Sequence, residues 1–74
     1  MRLLDVVSKD FNNVVKDNFE LPVDVELYSD IEEGESLIMN INGQVVRTSI
    51  IEDKFINGNI IKVTTRNTDY LFER

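Results

Sequence analysis

The sequence contains no cysteine, histidine, tryptophan or alanine. Without cysteine, neither a disulfide framework nor a thiolate nucleophile is available. A zinc or copper site would have to be built from carboxylates alone, because histidine and cysteine are the preferred ligands of these metals. A serine or threonine nucleophile would have only lysine or a carboxylate as its base. These absences predict a protein that is not an enzyme and has no catalytic residues, no metal site and no cofactor.

Long apolar runs are also missing, since no stretch approaches the ~20 residues that span a bilayer. The first residues do not resemble a signal peptide, because Asp5, Lys9 and Asp10 interrupt the part that would have to be apolar. A length of 74 residues suits one domain, residues 1–74. We therefore expect a single soluble domain with no membrane partner, located in the cytoplasm of a bacterium or of a phage-infected cell.

Residues 3–18 have the periodicity of an amphipathic helix, with apolar side chains on one side of a helical wheel. Asp5 and Lys9 have the spacing of a stabilising ion pair on a helix. Asn18 is a suitable stop residue, and Pro22 cannot continue the helix. The apolar side of this predicted helix consists of Leu3, Leu4, Val6, Val7, Phe11, Val14 and Val15.

After Pro22 the apolar residues repeat with a period of two, which predicts strands at about residues 22–28, 36–41, 44–51, 59–66 and 69–73. Asn42-Gly43 lies between two β-rich runs and therefore favours a type I′ hairpin turn. Ile-Asn-Gly recurs at residues 56–58 and is interpreted as a second hairpin turn, because neither copy precedes a helix as a phosphate-binding loop would. The core face of the first hairpin is assigned to Leu37, Met39, Ile41, Val46 and Ile50.

The summed elements predict an α+β fold, in which the N-terminal amphipathic helix packs on an antiparallel β-meander of about five short strands. A sheet of one layer needs a cover for its apolar face, and the helix supplies it. The sequence leaves open whether the sheet curls into a small barrel.

Charge is distributed unevenly along the sequence. Residues 1–37 contain ten acids and three bases, whereas residues 38–74 contain four acids and five bases, which together give the net charge of −6. No lysine or arginine occurs between Lys16 and Arg47. An asymmetry of this kind bears on binding partners. The candidate protein-interaction surface consists of Asp24, Glu26, Asp30, Glu32, Glu33 and Glu35.

Three interpretations of these acidic residues compete. Their spacing lacks the Asp/Asn alternation and terminal Glu of a calcium-binding EF loop, which argues against a metal site. A solvated face that keeps a small protein soluble and protects a sheet edge is the plainest interpretation. The functional interpretation is an anionic surface that mimics nucleic-acid phosphates and occupies a basic surface of a protein partner.

The resulting hypothesis is a small acidic protein that modulates or inhibits a host protein through residues 24–35. A phage or mobile-element accessory protein is one version, since eight Asn, eight Ile and no Ala are typical of AT-rich coding sequences. One alternative is a homo-oligomeric assembly module such as a homodimer, in which the negative half of one copy meets the positive half of another. The other is weak single-stranded nucleic-acid binding by the C-terminal sheet, which overall acidity disfavours. Its basic surface would be Arg47, Lys62 and Arg66, beside Tyr70.

Overall fold

The computed structural model describes residues 1–9 and 19–74. They form six antiparallel strands in which each strand pairs with its neighbours in sequence and the last returns to the first, so that the sheet closes into a barrel. No helix occurs within these two ranges. The prediction of an antiparallel sheet is confirmed, and the prediction of an α+β fold is wrong. The strands are β1 (Arg2–Ser8), β2 (Val23–Leu27), β3 (Ser36–Ile41), β4 (Gln44–Asn57), β5 (Ile60–Thr65) and β6 (Thr68–Glu73).

The predicted N-terminal helix, residues 3–18, is wrong over residues 3–8, which belong to β1; residues 10–18 lie outside the described ranges. A β-bulge explains the misleading pattern. The register between β1 and β6 shifts between Leu3 and Asp5, so the buried side chains of Leu3 and Val6 stand three residues apart. That spacing is typical of a helix, whereas an unbroken strand buries every second residue. The β-branched valines of this segment also suit a strand better than a helix.

Lys9, which the helical interpretation paired with Asp5, contacts the end of the barrel where β5 turns into β6. Its Nζ lies 3.3 Å from Asp69 Oδ1 and donates a hydrogen bond to the carbonyl oxygen of Thr65 at 2.7 Å. Its backbone N–H donates to the carbonyl oxygen of Asn67 at 2.8 Å. These contacts fix the end of β1 against the β5–β6 turn.

The two Ile-Asn-Gly stretches form different turns. Asn42 and Gly43 both have positive φ, 52° and 87°, between the paired residues Ile41 and Gln44, which is the type I′ pattern that the sequence predicts. At the second stretch Asn57 pairs with Ile60, so the turn consists of Gly58 and Asn59. Only Gly58 has positive φ there, 60°, which matches a type II′ turn. The second turn is therefore displaced by one residue relative to the first.

β4 is shared by the two halves of the barrel and changes phase as it passes between them. Thr48 and Ile51 are buried, whereas Ile50 between them is 38% exposed. The assignment of Ile50 to the core face is therefore wrong, because a register shift opposite β3 moves that face from Ile50 to Ile51. Thr48 Oγ1 accepts a hydrogen bond from the backbone N–H of Leu37 at 2.9 Å, which satisfies that buried donor at the irregularity.

The remaining strand bounds differ from the predicted ones by at most one residue, except that β4 continues past residue 51 to Asn57. Pairing with β5 supplies the hydrogen bonds of this extension, whose residues carry little strand signal of their own. The core fills the barrel interior with Leu3, Val6, Val25, Leu37, Met39, Ile41, Ile51, Ile61, Val63, Tyr70 and Phe72.

The phase change in β4 predicts unequal effects for two adjacent isoleucines. Ile51→Ala should lower the free energy of unfolding by about 2–5 kcal/mol, because it leaves a cavity in the core. Ile50→Ala, the matched control, should cost less than about 1 kcal/mol because its side chain is partly solvated. Urea denaturation of both variants measures the difference, and equal costs or a larger cost at Ile50 would contradict the register of β4.

Candidate protein-interaction surface

β2 and the loop that follows it carry every acidic residue of the candidate surface. Val25 of β2 faces the core, and the flanking side chains of Asp24 and Glu26 are exposed because successive residues of a strand point to opposite faces. The other four carboxylates are exposed in the β2–β3 loop, residues 28–35. We call this set the acidic surface: Asp24, Glu26, Asp30, Glu32, Glu33 and Glu35.

The β2–β3 loop is attached to the barrel along its length. Ser29 Oγ accepts a hydrogen bond from the backbone N–H of Ile38 at 3.0 Å. The N–H of Gly34 donates a hydrogen bond to the carbonyl oxygen of Ile51 at 2.8 Å. The N–H of Ile51 in turn donates to the carbonyl oxygen of Glu35 at 2.9 Å. The side chain of Ile31 packs against the core. The backbone that carries the loop carboxylates is thus held in place, so a partner would lose less affinity to ordering of this segment.

The acidic surface is poorly neutralised by the rest of the described residues. Of its six carboxylates, only that of Asp24 forms an ion pair with a described residue: Oδ1 lies 3.6 Å from Arg2 Nε. Both side chains are mostly exposed, so this pair stabilises little. Lys54 reaches the loop, but its Nζ donates to the carbonyl oxygen of Ile31 at 3.0 Å and not to a carboxylate. Within the described ranges, most of the negative charge of the acidic surface is therefore not compensated by an ion pair.

Two shallow grooves run along this surface. One has an acidic lining, and its residues are Ser29, Asp30, Glu32, Glu35 and Ser36. The other passes beside Tyr28, whose side chain is 52% exposed. Tyr28 Oη accepts a hydrogen bond from Asn40 Nδ2 at 2.8 Å, which holds the ring on the outer face of the barrel. The sequence prediction did not include Tyr28 in the surface. Tyr28 follows Asp24 and Glu26 with a period of two, and this alternation could have placed it on the same exposed face.

The basic residues of the nucleic-acid alternative do not share one strand ladder. Arg47 lies opposite Ile38 on the β3–β4 side of the barrel. Lys62 lies on the β4–β5–β6 side, and Arg66 lies in the β5–β6 turn. Tyr70, the aromatic residue expected beside them, is only 5% exposed and faces the core. It is therefore not available to stack on a base, which removes one element of that alternative.

The end of the barrel near Lys9 contains a cluster of polar side chains that connects β4 with the β5–β6 turn. Thr65 Oγ1 is buried, accepts a hydrogen bond from Ser49 Oγ at 2.8 Å and another from the N–H of Thr68 at 3.0 Å. Asp69 Oδ1 is shielded from solvent and has no hydrogen-bond partner among the described residues, so its 3.3 Å approach to Lys9 Nζ is an ion pair without hydrogen-bond alignment. This cluster fastens the β5–β6 turn to β4.

Other chemistry has little support in the described ranges. They contain no group of three or more His, Cys, Asp or Glu side chains that could hold a metal ion. Burial raises the pKa of the Tyr70 hydroxyl, and its hydrogen bond with Thr68 partly opposes this shift. A phenol with a raised pKa inside a core remains neutral and is a weak acid–base catalyst near neutral pH.

Comparison with known proteins finds no matching family model, no matching curated protein and no matching solved structure. No helix in the described part of the protein is long and apolar enough to cross a membrane. The geometry and charge of the barrel surface are therefore the features that bear on function.

Proposed function

We propose that this molecule is a non-enzymatic binding protein whose acidic surface contacts a basic surface of a partner protein. The supporting observation is that all six carboxylates of the acidic surface are exposed on a strand and a hydrogen-bonded loop. Of these six, only Asp24 forms an ion pair with a described residue. Such a surface attracts a basic partner over a distance of about 8 Å at physiological salt, and this attraction raises the association rate more than it raises the affinity.

The partner we propose is a host protein that normally receives nucleic-acid phosphates in a basic groove. Exposed carboxylates offer the same negative charge to Lys and Arg side chains that phosphates would offer. Tyr28 extends the surface with an aromatic face, on which an Arg of the partner can stack by a cation–π contact. Occupation of the groove would modulate or inhibit the host protein, as an accessory protein of a phage or another mobile element does.

This proposal predicts that neutralising the loop abolishes binding without unfolding the barrel. The variant Glu32→Gln/Glu33→Gln/Glu35→Gln should lose the partners that the wild-type protein captures from a low-GC bacterial lysate at low salt, because it loses the charges that attract them. Quantitative mass spectrometry of the captured proteins measures the loss.

A matched control removes the same number of charges elsewhere. Glu52→Gln/Asp53→Asn/Glu73→Gln changes exposed or half-exposed acids outside the acidic surface and should keep the captured partners. Capture by the wild type should fall as salt is raised. Equal capture by the wild type and the loop variant would show that the acidic surface is only a solvated face.

A second candidate function, self-assembly, is favoured by the extension of β4. Glu52–Asn57 pairs with β5 on one side, whereas among residues 1–9 and 19–74 the backbone hydrogen bonds on the β3 side of the strand end at Ile51. Phe55 and Ile56, 62% and 51% exposed, are adjacent in sequence and so occupy opposite faces of this strand. An exposed edge with apolar residues is a template for pairing with another strand. A second copy offers the same edge, which permits a two-fold antiparallel pairing.

Self-assembly through this edge predicts a concentration-dependent dimer that Phe55→Lys dissociates, because a lysine on an edge strand opposes pairing. Val45→Lys is the matched control, since Val45 is 59% exposed on another part of β4. Analytical ultracentrifugation over a range of concentrations, at low and high salt, measures the association. Persistence of the dimer at high salt indicates strand pairing in place of attraction between charged halves, and a monomer at all concentrations excludes assembly.

A further inference from the structure

The same three residues, Ile-Asn-Gly, occur in two different backbone conformations in this protein. In an Asn-Gly sequence, the glycine nitrogen can attack the asparagine side-chain amide, because glycine has no Cβ to obstruct the approach. The displaced turn at the second stretch gives its glycine nitrogen different neighbours from those of the first. The reactivity of the two asparagines should therefore differ in the folded protein.

The first stretch is protected by a hydrogen bond. The N–H of Gly43 donates to Asn40 Oδ1 at 2.8 Å, so the nitrogen that would attack Asn42 is engaged. Asn42 itself is held at φ 52° in the type I′ turn that connects the paired strands β3 and β4. Reaction at Asn42 requires this hydrogen bond to break and the turn to open, which adds to the barrier.

The second stretch lacks that protection. Within the described residues, no acceptor receives a hydrogen bond from the N–H of Gly58, and the side chain of Asn57 has no hydrogen-bond partner. Residues 42–45 and residues 52–59 are all exposed, so water reaches both asparagines and the difference between them is the hydrogen bond of the glycine nitrogen. Arg74 binds the carbonyl groups of this turn. Its Nη2 donates a hydrogen bond to the carbonyl oxygen of Gly58 at 2.9 Å, and its backbone N–H donates to the carbonyl oxygen of Asn59 at 2.8 Å. This leaves the Gly58 nitrogen as the unengaged amide beside Asn57.

We propose that Asn57 is a site of spontaneous deamidation in the folded protein, whereas Asn42 is protected. The deprotonated nitrogen of Gly58 attacks Cγ of Asn57, a new N–C bond forms, and the bond from Cγ to the amide nitrogen Nδ2 breaks with loss of ammonia. Water then opens the resulting succinimide at either carbonyl, which gives aspartate or isoaspartate. Each product adds a carboxylate beside Phe55 and Ile56, and isoaspartate also lengthens the backbone at the Asn57–Ile60 pair.

This inference goes beyond the proposed function and does not depend on it. The test is a time course at neutral and mildly alkaline pH, with peptide mapping by mass spectrometry and chromatographic separation of aspartate from isoaspartate. In the folded wild-type protein, conversion at residue 57 should exceed conversion at residue 42 several-fold, and it should accelerate as pH rises because the attacking nitrogen must lose its proton. In urea the two sites should react at similar rates.

Three variants test whether the hydrogen bond from Gly43 to Asn40 protects Asn42. Asn40→Ala removes the acceptor for the Gly43 N–H and should accelerate conversion at Asn42 while leaving Asn57 unchanged. Tyr28→Phe removes the other hydrogen bond of Asn40 and retains the acceptor, so Asn42 should stay protected. Asn57→Gln should suppress conversion at residue 57, because the larger ring forms more slowly.

Circular dichroism during the incubation verifies that each variant remains folded. The inference is overturned if Asn42 and Asn57 convert equally fast in the folded protein, or if Asn57 reacts in urea but not in the fold. It is also overturned if Asn40→Ala leaves Asn42 unreactive.

Discussion

The pairing of β1 with β6 joins the two ends of the described sequence and closes the barrel. Val6 faces Tyr70 and Leu3 faces Phe72 across this seam, and all four side chains are buried. The rings of Tyr70 and Phe72 stack with their centroids 6.3 Å apart. Without this pairing, β1 and β6 would each present an unpaired edge. Tyr70 and Phe72 would also lose their cross-strand neighbours Val6 and Leu3. The barrel interior therefore depends on contacts between residues far apart in sequence.

Closure also determines where the surface chemistry lies. β2 is positioned between β1 and β3, so its alternation sends Asp24 and Glu26 outward. The loop after β2 crosses to β4, where Ile51 receives and donates its backbone hydrogen bonds. Ile51 is at the same time a core residue, so the fixed course of the acidic loop and the packing of the interior share one anchor. A substitution at Ile51 should therefore affect both the course of the acidic loop and the stability of the barrel.

The sequence predicts the parts of this fold that follow local rules. The Asn42-Gly43 turn follows from the backbone preferences of Asn and Gly, and the alternation in β2 identifies the buried face of that strand. The sequence does not reveal that the strands after these turns continue into a closed barrel, because closure depends on long-range pairing. It also identifies the acidic residues as a group but not the attachment of their loop, which is made by backbone groups common to every residue.

The errors in β1 and β4 share one physical cause, an irregularity in strand pairing. In β1 a bulge gives Leu3 and Val6 helical spacing, and in β4 a register shift exchanges Ile50 for Ile51. At the second hairpin the turn forms one residue later than the Asn-Gly pair suggests. A bulge adds a residue without a distinctive side chain, so periodicity alone misassigns every residue beyond it.

The direct test of the barrel is nuclear Overhauser spectroscopy of residues 2–8. A closed barrel predicts cross-strand contacts between the backbone protons of Val6 and Tyr70 and of Leu3 and Phe72, because the antiparallel seam brings them close together. Medium-range contacts between residues three and four apart in residues 2–8, with no contacts to β6, would show a helix and contradict the closed barrel.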